Sequence, residues 1–311
     1  MFHMKHFRPG RMVTVAGLQT HVLVSGAGPT VVLCGGLGSN WFDWDDCARI
    51  LSAFHTVVVF DRPGFGASDP YPTGQACWGG TDETPNVMAE TPSVMGEADR
   101  ILGVLDALDL LEPAVIVGHS IAGFYAEAFA RVHPHRTAGL LLLDSSAERD
   151  PWRLVPRRIR VGFALSLAEL LTRSGLQNLL GPTARRVLNH SIPPDGIPIE
   201  TYDAIATIYR TPSYLRAALV ENFVYPDMAA ELNAIRRRTT VSAPVTVAAA
   251  HTGRPTPWAR AWLAKQQRLA HYLNARFTVV GNAHHHAMID QPAVVSALIG
   301  EVVSHHRSTD T

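Results

Sequence analysis

The stretch Ala114-Val115-Ile116-Val117-Gly118-His119-Ser120-Ile121-Ala122-Gly123 decides the fold. Its first four residues read as a buried strand, Gly118 to Ser120 as a very tight turn, and Phe124-Tyr125-Ala126-Glu127-Ala128-Phe129-Ala130 as the helix that follows. A serine at such a turn is a candidate nucleophile elbow, because the strained turn lifts the hydroxyl above the end of a sheet. Small residues on either side let strand and helix approach closely, and Ala122 stands where a second glycine is usual. The plainer reading makes Ser120 a helix cap; the strand before it and the helix after it favour a nucleophile.

Working outward, apolar runs and helical patterns alternate. Met12 to Val15 and Thr20 to Val24 read as strands around a turn at Gly17. Thr30 to Cys34 reads as a buried strand ending in Gly35-Gly36-Leu37-Gly38, and a helix around Cys47 to Phe54 leads to the strand Thr56 to Phe60. Tyr71 to Pro92 is rich in Gly, Pro and Thr and reads as an irregular excursion. Ser93 to Leu110 has helical periodicity, and Gly139 to Leu143 is the next strand. Continuously apolar strands alternating with helices signal an α/β protein with a largely parallel sheet covered on both faces. Ligands of such sheets sit beyond the carboxyl ends of the strands.

From Ala147 to Thr240 the rhythm changes to helical patterns, including Phe163 to Leu171, Tyr202 to Ile208 and Leu215 to Phe223, separated by prolines. This predicts a helical insertion over the rim, dividing the chain into a first core part (1–146), the insertion (147–240) and a second core part (241–311). In the last part Pro244 to Ala249 and Arg276 to Val280 read as strands, Pro257 to Leu273 and Pro292 to Val303 as helices, and the tail beyond His305 as frayed.

Composition removes several function classes. The chain has 311 residues, 47% hydrophobic and 17% charged, which predicts a substantial core. Lys plus Arg equals Asp plus Glu at 27 each, so no basic field gathers nucleic acid. Arg157-Arg158-Ile159-Arg160 and Arg236-Arg237-Arg238 read as solvated helix faces. Cys34, Cys47 and Cys77 show no metal-binding rhythm and suit a reducing compartment. The basic Met1 to Gly10 lacks a secretory apolar run, and no stretch is long enough for stable membrane insertion, so a cytoplasmic protein is expected.

A serine needs a base, and the base needs a carboxylate to hold its tautomer. The loop Gly281-Asn282-Ala283-His284-His285-His286 follows the late strand Arg276 to Val280 and supplies a base, without deciding which ring. No carboxylate or thiol at ligand spacing completes a metal shell around the three histidines, so no metal is expected. From Leu232 to Ile289 there is no Asp or Glu, so the loop after Pro244 to Ala249 cannot supply the acid. Asp144, at the end of the strand after the elbow helix, is the favoured acid; a turn-capping role is the alternative. Asp61 is expected to order the turn Arg62-Pro63-Gly64, and Asp290 lies too near the histidines. The backbone amides of Ile121 and Leu37 are natural donors to an oxyanion. The glycine loop lacks the lysine and Ser/Thr of a phosphate-binding loop and the spacing of a dinucleotide fingerprint. Gly36, Trp41 and His119 are candidate pocket residues; Trp41 and Trp44 suit core packing nearly as well.

Taken together, Val31-Val32-Leu33-Cys34-Gly35-Gly36-Leu37-Gly38, Phe60-Asp61-Arg62-Pro63-Gly64-Phe65-Gly66-Ala67-Ser68, the elbow, Leu142-Leu143-Asp144-Ser145-Ser146 and His284-His285-His286-Ala287-Met288-Ile289-Asp290-Gln291-Pro292 resemble the α/β-hydrolase superfamily. The resemblance spans residues 12–303 and implies an eight-stranded sheet, a cap after the sixth strand and an acyl-serine route. It assigns the base to His285, with His284 as the alternative, because His284 occupies the usual glycine position. Gly35 replaces the usual His of the oxyanion loop, and the usual Asp after the seventh strand is absent; Asp144 matches a subgroup whose acid ends the sixth strand. Ser120 at the elbow disfavours the dehalogenase and epoxide hydrolase branches, which carry Asp there.

The resemblance therefore implies a carboxylic ester hydrolase with Ser120, Asp144 and His285 as its triad, acting on a small or medium apolar acyl compound without a cofactor. Thioesterase, lactonase, carbon–carbon hydrolase and cyclising activities share the same triad, and a non-catalytic small-molecule binding protein is the alternative from another class. The stripe Phe163, Leu167, Leu170 and Leu171 is expected to pack on its own domain rather than on lipid.

Overall fold

The structure, a computed structural model, describes residues 10–72, 91–148, 154–179, 181, 183, 191 and 193–309. Eight strands, β1 (Arg11–Val15), β2 (Leu18–Ser25), β3 (Thr30–Cys34), β4 (Thr56–Phe60), β5 (Ala114–His119), β6 (Thr137–Leu143), β7 (Val245–His251) and β8 (Arg276–Gly281), form one sheet in the order β1-β2-β4-β3-β5-β6-β7-β8. Pairing is antiparallel for β1 with β2 and for β2 with β4, and parallel throughout the rest. The expected α/β architecture with a mostly parallel eight-stranded sheet is thus present.

The strands are accompanied by the helices α1 (Asp45–Leu51), α2 (Val94–Ala107), α3 (Ala122–Val132), α4 (Arg157–Arg173), α5 (Ile199–Ile208), α6 (Pro212–Arg236), α7 (Pro257–Tyr272), α8 (Ala287–Asp290) and α9 (Pro292–Thr309). Ser93, Thr211 and Thr256 cap α2, α6 and α7 through their hydroxyls, and proline opens the latter two. The sheet divides the core into two layers. Val32, Cys34, Val58, Ile116 and Leu142 face α2, α3 and α6, whereas Val31, Leu33, Val57, Val117 and Leu143 face α1 and α9. Alternate residues of a strand point to opposite faces, so an unbroken apolar run is what a sheet covered on both sides demands.

Helices α4 to α6 lie between β6 and β7, the helical insertion anticipated after the sixth strand. Its helix α6 reaches into the core, where Val224, Met228, Ala229 and Leu232 are buried beside α3. The Glu231 carboxylate on α6 also accepts from the Val94 and Met95 amides, filling the exposed N-terminus of α2.

Several local expectations need correction. β6 begins at Thr137 rather than Gly139, α1 ends at Leu51 rather than Phe54, and α9 continues to Thr309 instead of fraying beyond His305. The two basic runs are solvated only in part: Arg158, Arg237 and Arg238 are exposed, but Arg236 and Arg160 are tied into the fold. Arg236 bonds Glu127 in the core at 2.6 Å, and Arg160 pairs with Asp227 at 2.6 Å across the α4–α6 seam. On α4 the buried positions are Val161, Ala164 and Ala168, while Phe163 and Leu170 are exposed, because the small residues allow α6 to approach closely. The excursion between Tyr71 and Pro92 lies largely outside the described residues, as do Met1 to Pro9 and Cys77. Cys34 and Cys47 are free thiols; burial pushes each up to about 12. Among the described residues no helix is long and apolar enough to cross a membrane, and no cluster of His, Cys, Asp or Glu has the arrangement of a metal site.

Candidate active site

Parallel pairing sets the carboxyl ends of neighbouring strands level: Cys34 pairs with Gly118, His119 with Leu143, and Leu143 with Ala248. The loops leaving β3, β5, β6 and β7 therefore share one rim. At the end of β5 the chain reverses into α3 within two residues, Ser120 and Ile121, and the φ of 55° at Ser120 lies in the left-handed region. Non-glycine residues adopt that conformation at a cost of order 1–3 kcal/mol, held here by the packed elements on either side. The closeness of those elements explains two glycines. A Cβ at Gly118 would lie 2.6 Å from the Ala122 carbonyl oxygen, and one at Gly123 would lie 1.8 Å from Ser145 Oγ.

The structure brings Ser120, His285 and Asp144 into one hydrogen-bonded row. His285 Nε2 lies 2.9 Å from Ser120 Oγ, and Nδ1 lies 2.6 Å from Asp144 Oδ2. A carboxylate only accepts, so Nδ1 carries the proton and Nε2 is free to accept from the serine hydroxyl. Asp144 is buried, with a φ of 43°, and its second oxygen accepts from the Ala250 amide and the Trp262 indole. His284 sits elsewhere: its amide and ring contact the Asp290 carboxylate at 2.6 and 3.0 Å.

Gly36 abuts the elbow, since a Cβ there would lie 2.9 Å from both Ser120 Cβ and His119 Nδ1. Leu37 follows it, half exposed, and Ile121 follows Ser120. Among the described residues neither of their amides donates to another protein group. His119 is buried beneath the serine and donates from Nε2 to the His285 carbonyl oxygen at 2.8 Å, tying the elbow to the histidine loop. Burial, reinforced by the neighbouring His285 and His286 rings, holds His119 well below the ordinary histidine value and so keeps it neutral. Trp41 and Trp44 are both buried in the core layer next to α1, with Trp41 edge-on to Phe42. Asp61 orders its turn as expected, accepting from the Trp41 and Ala67 amides and pairing with the His21 ring at 2.7 Å.

Sequence reasoning missed a second tier beneath the glycine loop. The buried Arg62 guanidinium donates to the Gly35 and Gly36 carbonyl oxygens and clasps Glu221 of α6 at 2.9 and 3.2 Å. Burial opposes the Arg62 charge, but the Glu221 carboxylate, with Tyr125 and Glu97 beside it, outweighs burial and holds the guanidinium protonated, above its ordinary value. Tyr125 of α3 donates to the same carboxylate at 2.7 Å. Tyr209 and Tyr214 both donate to the Gly38 carbonyl oxygen, at 3.1 and 2.9 Å. The insertion thus grips the glycine loop at both ends. Glu221 lies 159 residues from Arg62 in the chain, and no local pattern announces the pair. Trp262 had a weak signal, a tryptophan pair four residues apart on the helix after β7.

Comparison with known proteins agrees with this architecture. The chain is 27% identical over 293 residues to the polyketide synthase ThaQ of Burkholderia thailandensis, covering 91% of this chain and 12% of that protein. It is 31% identical over 142 residues to a 2-hydroxy-6-oxo-2,4-heptadienoate hydrolase of Pseudomonas putida, covering 44% of each. The chain therefore spans less than half the length of these curated relatives. Among solved structures, Cfl2 from Burkholderia cenocepacia superposes with a TM-score of 0.70 at 18% identity over 94% of both chains, a likeness of fold. Residues 22–298 match the Alpha/beta hydrolase family, and with that span, this sheet and this elbow the chain belongs to it.

Proposed function

We propose that the protein is a serine hydrolase that cleaves a carboxylic ester of a small or medium apolar acid through an acyl-serine intermediate. The observation carrying this reading is the unbroken row from Ser120 Oγ through the His285 ring to Asp144, at 2.9 and 2.6 Å. In this reading His285 Nε2 takes the hydroxyl proton as Oγ attacks the ester carbonyl. The developing oxyanion meets the Leu37 and Ile121 amides, and His285 returns the proton to the departing alcohol. Water then enters and attacks the acyl carbonyl as it gives its proton to His285, which returns that proton to Ser120 Oγ as the acid leaves. Asp144 holds the ring throughout and stabilises the imidazolium. Gly36 and His119 shape the floor beneath the serine, and residues 147–240 form the cap that selects the acyl group.

A second reading, carbon–carbon bond hydrolysis on the same row, draws its support from the likeness to the Pseudomonas putida hydrolase. Steady-state and burst hydrolysis of chromogenic esters from acetyl to palmitoyl, with Ser120→Ala as control, tests the first reading. Turnover falling by roughly 10³-fold or more in the variant is the expected result. Folded wild-type protein with flat traces on every ester, but turnover of a 2-hydroxy-6-oxo-dienoate, moves the assignment to the second reading. Binding without turnover of either class leaves a small-molecule binding protein.

A further inference from the structure

The acid of the row is held from an unusual side. Asp144 Oδ2 faces His285, while Oδ1 accepts from the Ala250 amide at 2.9 Å and from Trp262 Nε1 at 2.7 Å. Trp262 lies on α7, the helix that follows β7 and its carboxylate-free loop. Four residues on, and so on the same helix face, the buried Gln266 donates to the Ser145 carbonyl oxygen at 2.6 Å. Lys265 pairs with Glu148 and lies 5.0 Å above the Trp262 ring. Three side chains of one helix thus grip residues 144–148, the turn in which Asp144 keeps its left-handed backbone. Such a conformation persists only where its surroundings over-determine it. Trp262 also stands edge-on to His285, with ring centroids 6.3 Å apart.

We propose that Trp262 is a positioning residue for the base: its indole N–H fixes the Asp144 carboxylate in the orientation that aims His285 at Ser120. The proposal rests on the acyl-serine reading for its consequence in catalysis. It also has a sign. A donor on Oδ1 draws off carboxylate charge, so removing it makes Asp144 a stronger acceptor, stabilises the His285 imidazolium and raises the pH at which the base is lost. The titratable groups facing the His285 ring are Asp144, His119 and His286, with Lys265 and Glu148 behind Trp262.

Trp262→Phe keeps an aromatic ring but removes the N–H donor, and Trp258→Phe makes the same exchange in the stacked neighbour 5.7 Å away while leaving the hydrogen bond in place. With p-nitrophenyl butyrate and the full chain, Trp262→Phe is expected to lower kcat about tenfold at unchanged KM. The acid limb of its pH profile should move upward by about half a pH unit. Trp258→Phe should stay within about twofold of wild type. A wild-type rate, or a rate loss without movement of the limb, reduces Trp262 to packing and overturns the proposal. Should Trp262→Phe fail to fold, indole ¹⁵N–¹H spectra of wild type and Asp144→Asn decide: the Trp262 proton should move upfield in the variant, and an unmoved resonance overturns the proposal. Should Ser120→Ala hydrolyse the ester as fast as wild type, the acyl-serine reading falls on its own. NMR titration of the His285 ring in wild type and Trp262→Phe then decides the positioning role, an upward shift supporting it and coincident curves refuting it.

Discussion

Helices α3 and α4 meet opposite fates. Ten of the eleven residues of α3 are buried, including Glu127 and Arg131, because the sheet, α2 and α6 enclose it. Only Val161, Ala164 and Ala168 of the seventeen-residue α4 are buried, while Ile159, Phe163 and Leu170 stay exposed. Helix α3 is fixed by apolar area removed from water on every side. Helix α4 rests on α6 along a narrow seam, and α6 in turn is fastened to the core both by its buried Val224, Met228, Ala229 and Leu232 and by charge: Glu221 to Arg62, Glu231 to the start of α2. The difference teaches that α3 is placed by burial on nearly every side, whereas α4 holds to the core at second hand, through α6, whose buried stripe is joined by polar anchors that reach the glycine loop beside Ser120 through Arg62 and Tyr214.

Three substitutions probe that contrast. Phe129→Ala, in the nearly enclosed α3, should cost about 4 kcal/mol and lower the denaturant midpoint most, as measured by urea unfolding. A loss below about 1 kcal/mol would mean that α3 is less committed than its burial suggests. Glu221→Ala should cost about 3 kcal/mol by leaving Arg62 buried without its counter-charge. It should also depress ester turnover more than Phe129→Ala does, since the Gly35–Gly36 carbonyls lose their clamp. Equal loss of turnover in the two variants would dissolve the distinction between anchor and core. Leu170→Ala, on the exposed face of α4, should change stability by less than about 0.5 kcal/mol. A larger loss would show that this face is covered in solution.

What the chain disclosed in advance follows the same division. The runs Thr30 to Cys34, Thr56 to Phe60 and Ala114 to Val117 are legible because a strand buried on both faces leaves no place for a polar residue. The pairing of Asp144 with the histidine loop is legible by elimination, since no carboxylate lies between Leu232 and Ile289. The α4 stripe misleads because helical periodicity marks where apolar residues recur, not which face a neighbour covers; the close contact goes to the smallest side chains. Arg160 and Arg236 read as solvated because their partners, Asp227 and Glu127, are supplied by other helices. Glu221 is silent for the same reason: a glutamate on a helix carries no local sign of being buried against an arginine 159 residues away.

Leu143 pairs with Ala248, so β6 ends beside the last residues of β7, and the Ala250 amide of β7 donates to the Asp144 carboxylate. The absent acid of the seventh strand and the present one of the sixth are therefore neighbours across a single strand spacing, about 4.8 Å. A carboxylate at the end of either strand would stand within reach of the same imidazole. The place on the rim, rather than the position in the chain, decides which acid faces the ring.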